Sequence, residues 1–223
     1  MADTDSARQQ LRFAVSLLLA LVFAAPLQAQ TPGAAEPAVA LRPFFLASGE
    51  RFAARKTFDA VFDAKALRPF WGGGVQVGLS RGFFVEIAVS RFRSTGQRAF
   101  VANGQAFPLG IPLTATLTPI EIVGGYRFRR SRTIVPYAAV GVGRYAYSET
   151  SAGNDPGEDV DESRAGFLVL GGAEFRVHRW VGVGVDVQYT RVTGVLGKAG
   201  ISQAFGEDDL GGTAARVKVL IGR

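Results

Sequence analysis

Between Val181 and Tyr189 the chain reads Val-Gly-Val-Gly-Val-Asp-Val-Gln-Tyr, with Val or Tyr at every odd position and Gly182, Gly184, Asp186 or Gln188 between them. Successive side chains of an extended strand point to opposite faces, so this segment has one uniformly apolar face and one that is polar or empty. Comparable runs occur at Leu41 to Phe52, Phe70 to Ser80, Phe83 to Arg93, Leu117 to Phe128, Val135 to Ser148, Arg164 to His178 and Gly212 to Arg223. These are eight candidate strands, most of them about 9 to 12 residues long, the length a tilted strand needs to cross a bilayer core. Strands of water-soluble sheets more often stop at five or six.

The connections alternate in length. Arg81-Gly82, Arg129 to Ile134 and Arg179-Trp180 are tight, whereas Ala53 to Pro69, Ser94 to Thr116, Glu149 to Ser163 and Val192 to Gly211 are long. Short turns at one end and long loops at the other are the pattern of a membrane-spanning meander. Gly141-Val-Gly143-Arg-Tyr-Ala146 matches a loose dinucleotide-binding spacing, but no helix follows it, so the strand reading stands.

One feature of the chain outside these runs fits an exported protein. Arg8 and Arg12 precede an apolar run, Phe13 to Ala25, that ends at Pro26 and the small-residue site Leu27-Gln28-Ala29. This has the form of a secretory signal over residues 1–29, followed by a flexible leader at 30–40 and a β-domain at 41–223. The run is too short to span a bilayer as a helix, and no later stretch approaches the roughly 18 to 20 apolar residues required. With no cysteine and a single histidine, the chain has no disulfide framework, thiol nucleophile or Cys-based metal site.

Aromatic residues gather at the strand ends, where rings settle at membrane–water boundaries. Phe52, Phe70, Trp71, Phe92, Tyr145, Tyr147, Phe167 and Tyr189 lie toward the long loops, and Phe83, Phe84, Tyr126, Phe128, Tyr137, Phe175 and Trp180 toward the short turns. Trp71, Phe84, Tyr126, Tyr145, Trp180 and Tyr189 are therefore expected as interface anchors. If the aliphatic rows face lipid, the alternate rows enclose Glu86, Glu121, Arg127, Glu174, Arg176, Asp186, Arg216 and Lys218, four acids and four bases. A base facing hydrocarbon at mid-depth would cost about 2 to 4 kcal/mol. Inside a bore just wide enough to be filled by side chains, opposite charges are expected to pair. Glycines 74, 78, 125, 172, 182 and 184 on the same face leave room for long arms. The pairing either closes the barrel in place of an apolar core or forms a gate for a small solute. In the fifth strand Val140 and Val142 hold one parity and Tyr137, Tyr145 and Tyr147 the other, which predicts a bulge near Gly141 or Gly143.

Outside the strands the sequence offers little chemistry. His178 sits beside a tight turn without a recognisable nucleophile and carboxylate, so no catalytic residue is expected. The third loop holds Asp155, Glu158, Asp159, Asp161 and Glu162, but not at the spacing of a calcium loop, and reads as solvated; no metal or cofactor is expected. Phe58, Val61 and Phe62 have helical spacing and predict a short turn folded over the barrel mouth. Arg51, Arg55, Lys56, Arg91, Arg93 and Arg98 are placed either to pair with acidic loops or to contact lipid phosphates. The net charge of +6 fits a membrane surface better than nucleic acid, for which no stacking module is visible.

Taken with Trp71-Gly-Gly-Gly74, Gly124-Gly-Tyr-Arg-Phe128, Pro136-Tyr137 and Glu207-Asp-Asp-Leu-Gly-Gly212, the chain over residues 41–223 resembles the small eight-stranded outer-membrane β-barrels of the OmpA/OmpW type and a bacterial family of outer-membrane β-barrel proteins. The resemblance implies an all-β, antiparallel up-and-down transmembrane barrel in the outer membrane of a Gram-negative bacterium. It further implies a non-enzymatic role in envelope integrity, adhesion or passage of small solutes. The expected partners are outer-membrane lipid, lipopolysaccharide and the outer-membrane assembly machinery, with the barrel a monomer. A narrow channel and a lipid-modifying envelope enzyme are the competing functions.

Overall fold

The computed structural model describes residues 39–62, 67–102, 104–128, 133–151, 160–197 and 200–222. The signal segment and most of the leader expected from the sequence lie outside this set. Eight strands form one closed, wholly antiparallel barrel in sequence order: β1 (Ala40–Phe52), β2 (Arg68–Gly78), β3 (Phe83–Ala102), β4 (Gln105–Arg127), β5 (Ile134–Ser151), β6 (Val160–His178), β7 (Val181–Arg191) and β8 (Gly212–Ile221). Closure runs from Phe44 opposite Leu220 to Phe52 opposite Gly212. Within the closed wall the ladders are thereby paired on both sides without an open edge, as a lipid environment requires.

Register fixes the geometry. Ala40 faces Gly78, and the chain of partners continues through Phe84, Gly125, Ala139, Leu170, Gln188 and Ala214 to Glu50. One circuit thus climbs β1 by ten residues, a shear that for eight strands gives a tilt of about 40°. The aliphatic rows point outward: Val185 and Val187, Val140 and Val142, Ile87 and Ile122 are all exposed. The alternate rows are buried.

Two expectations about the strands are corrected. Ser94 to Thr116 is not a loop, because β3 and β4 continue as a hairpin to Ala102 and Gln105 with a register shift between Gln97 and Ala99. Thr95 and Thr114 share a hydroxyl hydrogen bond of 3.1 Å, and the Phe100 and Phe107 rings stack at 5.3 Å. Pro108 and Pro112 had disguised it; both lie beyond Leu113, where pairing with β5 ends, and an edge position tolerates a missing N–H. No bulge interrupts β5 either. Its partners run without a break on both sides, so Tyr137, Tyr145 and Tyr147 face inward.

The turn between β2 and β3 contains a single 3-10 turn, Ser80–Gly82. Arg81 and Gly82 both have positive φ, 63° and 91°. A Cβ on Gly82 would stand 2.9 Å from the Arg127 carbonyl oxygen, so glycine is required there. At the opposite end lie two short helices, α1 (Arg55–Phe62) between β1 and β2 and α2 (Gly200–Phe205) between β7 and β8.

Candidate functional site

The enclosed rows of all eight strands meet in one network. From β1, Arg42 makes a bidentate contact to Glu174 of β6, at 2.6 and 2.9 Å. Arg127 of β4 reaches the same carboxylate at 3.1 Å and also donates to Gln76 of β2, whose amide donates to Glu86 of β3 at 3.1 Å. Lys218 of β8 lies 3.0 Å from Glu86 and 3.2 Å from Asp186 of β7. Arg216 donates Nε to Asp186 at 2.6 Å and stands 3.5 Å from Glu121 of β4. Tyr137 and Tyr145 of β5 complete the circuit, donating to Asp186 at 2.6 Å and to Glu121 at 2.9 Å. Gln188 adds a bond to Glu121 at 2.9 Å and accepts from Arg216.

Four carboxylates and four cations therefore neutralise one another in a bore where each is at most 7% exposed. Burying an ion costs several kcal/mol unless an opposite charge and hydrogen bonds replace its hydration. The shared pairs supply that replacement here. Small residues make the space: a Cβ on Gly182 would fall 2.9 Å from Glu174 Oε1 and 3.0 Å from an Arg42 amino nitrogen. Aromatic faces supplement the carboxylates, with Arg127 over Phe84 at 5.5 Å and Lys218 over Tyr137 at 5.1 Å.

The structure places Glu86, Glu121, Arg127, Glu174, Asp186, Arg216 and Lys218 inside this network, and Trp71, Tyr126, Trp180 and Tyr189 exposed on the outer surface. Three placements are corrected. Arg176 has inward parity but lies exposed at the short-turn rim, beside the register shift that ends β6, where water already solvates it. Arg42 takes its place in the charge balance; its position at the start of a strand, next to Pro43, concealed its parity. Phe84 is buried because only one of two adjacent phenylalanines can face out, and Phe83 does so. Tyr145 is buried with its hydroxyl on Glu121, an inward hydrogen-bonding role rather than a boundary one. The tyrosines, Gln76 and Gln188 carried no charge signal, and parity alone would have found them.

Above the network the bore is closed a second time. Phe52, Phe58, Phe62, Phe70 and Phe92 form a buried cluster with Leu117, Tyr147, Val192 and Leu210. Phe58 of α1 stacks on Phe52 with ring centroids 3.9 Å apart, so the helix lies across the mouth as the Phe58–Phe62 spacing predicts. No acid stands in the first turn of α1 and no base in its last. The protein supplies both from elsewhere. Glu207 accepts from the backbone N–H groups of Lys56 and Thr57 at 3.1 and 2.8 Å, and Arg68 donates to the carbonyls of Phe62 and Phe58 at 2.9 and 3.2 Å. Between the two closures a cavity of about 20 Å³, room for about one water, is lined by Glu50, Ser48, Ser90, Glu121, Tyr145 and Thr190.

His178 is exposed, its Nδ1 accepting from the Trp180 N–H at 3.4 Å. Asp155, Glu158 and Asp159 fall outside the described residues, whereas Asp161 and Glu162 begin β6 and Glu162 pairs with Arg164 at 3.3 Å. Among the described residues no three acidic or histidine side chains converge on a metal position.

The family model of the outer membrane protein beta-barrel domain matches residues 15–220. Neisserial surface protein A is similar in structure, with a TM-score of 0.52 and 11% identity over 84% of this chain and 98% of that one. Ail, the attachment invasion locus protein of Yersinia pestis, aligns at 0.46 and 12% identity over 82% and 95% of the two chains. The N-terminal barrel domain of Pseudomonas aeruginosa OprF aligns at 0.43 and 12% over 82% and 97%. No curated protein sequence matches this chain. The closed eight-strand barrel, its lipid-facing rows and the family match agree, and the chain belongs to the outer membrane protein beta-barrel family of the bacterial outer membrane.

Proposed function

We propose that this protein is a sealed, non-enzymatic barrel that serves the envelope through its wall and its outer surface rather than through its lumen. The double closure carries this reading: a neutral salt-bridge network linking all eight strands lies beneath an apolar lid. An ion entering the bore would have to displace paired charges and then an aromatic cluster, and neither layer offers it replacement ligands in a continuous row. Long strands add an outward-reaching element, since the β3–β4 hairpin extends past the last pairing with its neighbours and exposes Phe100, Phe107 and Leu109. Among the described residues that hairpin is the part best placed for contacts outside the membrane.

The test is conductance of the full chain in planar bilayers. The sealed barrel is expected to give no stepwise currents at ordinary voltages. Glu121→Ala, which removes the acceptor shared by Tyr145, Gln188 and Arg216, is expected to admit small, irregular currents if the variant folds. Regular unitary steps from the unaltered protein would instead make it a narrow channel, with the network as its gate.

A further inference from the structure

The outward rows of the ascending strands end alike. On β3 the row runs Val85, Ile87, Val89 and then Arg91 and Arg93; on β5 it runs Val140, Val142 and then Arg144; on β7, Val185, Val187, Tyr189 and then Arg191; on β1, Phe45, Ala47, Gly49 and then Arg51. All five arginines are exposed. Their heights follow from the register. At a tilt of about 40° each residue rises about 2.5 Å along the barrel axis, and each step from a strand to the register partner on the next rises about 3 Å. Counted this way, the five guanidinium-bearing positions fall within about 5 Å of one level, although they are scattered from residue 51 to residue 191. The strands carrying them alternate around the barrel, so neighbouring arginines are separated by about 12 Å of circumference.

This level is the outer edge of the apolar band. Trp71, Phe167 and Tyr189, exposed on the outside, lie just below it, and Thr213 and Thr118 occupy it on descending strands. None of the five arginines pairs with a carboxylate among the described residues; Arg144 donates Nε to Ser163 at 2.6 Å. The outward acid of β6, Asp161, stands opposite Ser148, four residues beyond Arg144 toward the loops. Unneutralised arginines facing outward at a membrane boundary are matched by phosphate esters, which guanidinium groups grip through paired N–H donors. The short-turn rim has no equivalent ring on its outward rows among the described residues.

We infer that Arg51, Arg91, Arg93, Arg144 and Arg191 form an annular binding site for phosphorylated lipid headgroups of the outer leaflet, which holds the barrel at a defined depth. The inference does not depend on whether the lumen conducts, so either can fail without the other.

The test uses the full chain folded in non-ionic octyl glucoside micelles and titrated with lipid A, a lipid bearing phosphate monoesters, with tryptophan fluorescence as readout because Trp71 adjoins the ring. Saturable binding is expected. The triple variant R91Q/R93Q/R191Q should bind about a hundredfold more weakly, the loss expected of three charges near an anionic surface, whereas R176Q/R179Q at the opposite rim should bind like the unaltered protein. Inorganic phosphate at matched concentration should not compete, which separates a lipid site from a free-anion site, and phosphatidylglycerol should bind more weakly than lipid A. Folding of each variant is checked by the mobility shift between boiled and unboiled samples. If the triple variant does not fold, the single variant R93Q should still bind several-fold more weakly. Equal affinity of the ring variants and the unaltered protein, equal loss in the opposite-rim control, competition by free phosphate, or no binding at all would overturn the inference.

Discussion

At the scale of single residues, what distinguishes this barrel is which charges are enclosed. Glu174 holds both Arg42 and Arg127, so Glu174→Ala takes from two buried guanidinium groups the carboxylate that they share. Breaking a buried pair in this way costs about 3 to 5 kcal/mol. Urea unfolding in micelles should show a loss of that order for Glu174→Ala, whereas Arg176→Gln, at an exposed position, should stay within about 0.5 kcal/mol of the unaltered protein. Equal losses would mean that Arg176 also belongs to the network. Parity made seven of the eight enclosed charges legible in the sequence, because a charge on a row alternate to valine has nowhere else to go. It did not identify Arg42, which precedes any clear alternation, and it misplaced Phe84 and Tyr145, since rings suit both a boundary and an enclosed wall.

Among the elements, α1 is the one whose position depends most on contacts remote in sequence. Its eight residues are too few to be helical alone, and the clamp by Glu207 and Arg68 together with the burial of Phe58 and Phe62 holds it. Glu207→Ala should cost about 1 kcal/mol and raise the rate of proteolysis within residues 53–67 about fivefold, measured on folded protein in micelles. Conductance should remain absent, because the polar closure beneath is untouched. Unchanged proteolysis would show that aromatic packing alone seats the lid. The spacing Phe58–Val61–Phe62 predicted the turn, but nothing local announced its clamps, which lie about 150 residues away in one case.

Across the whole molecule, closure is what makes the parts cooperative. The ladders that join β3 to β2 and β4 to β5 stop at Arg91 and Leu113, so, among the described residues, 97–112 pair as strands only within the β3–β4 hairpin. Replacing that section by an Asn-Gly turn between Gly96 and Leu113, which face one another, should leave the barrel intact, since such a turn matches strand twist. The boiled and unboiled forms should still differ in gel mobility, and loss of that shift would show that the hairpin is needed to assemble the wall. The sequence reads as a loop here because two prolines and two glycines break its alternation, although the ladder resumes beyond the register shift, with Ala99 opposite Pro108 and Ala102 opposite Gln105.

Strand number, the direction of the aliphatic rows and the sign balance of the enclosed charges were set by the order of residues, because period-two alternation in lipid admits one orientation. Which charge meets which, the seating of α1 and the common level of five distant arginines were decided by the tertiary structure. Those features arise from shear and closure, and a shear of ten residues is a property of how eight strands join, with no counterpart in the pattern of any one of them.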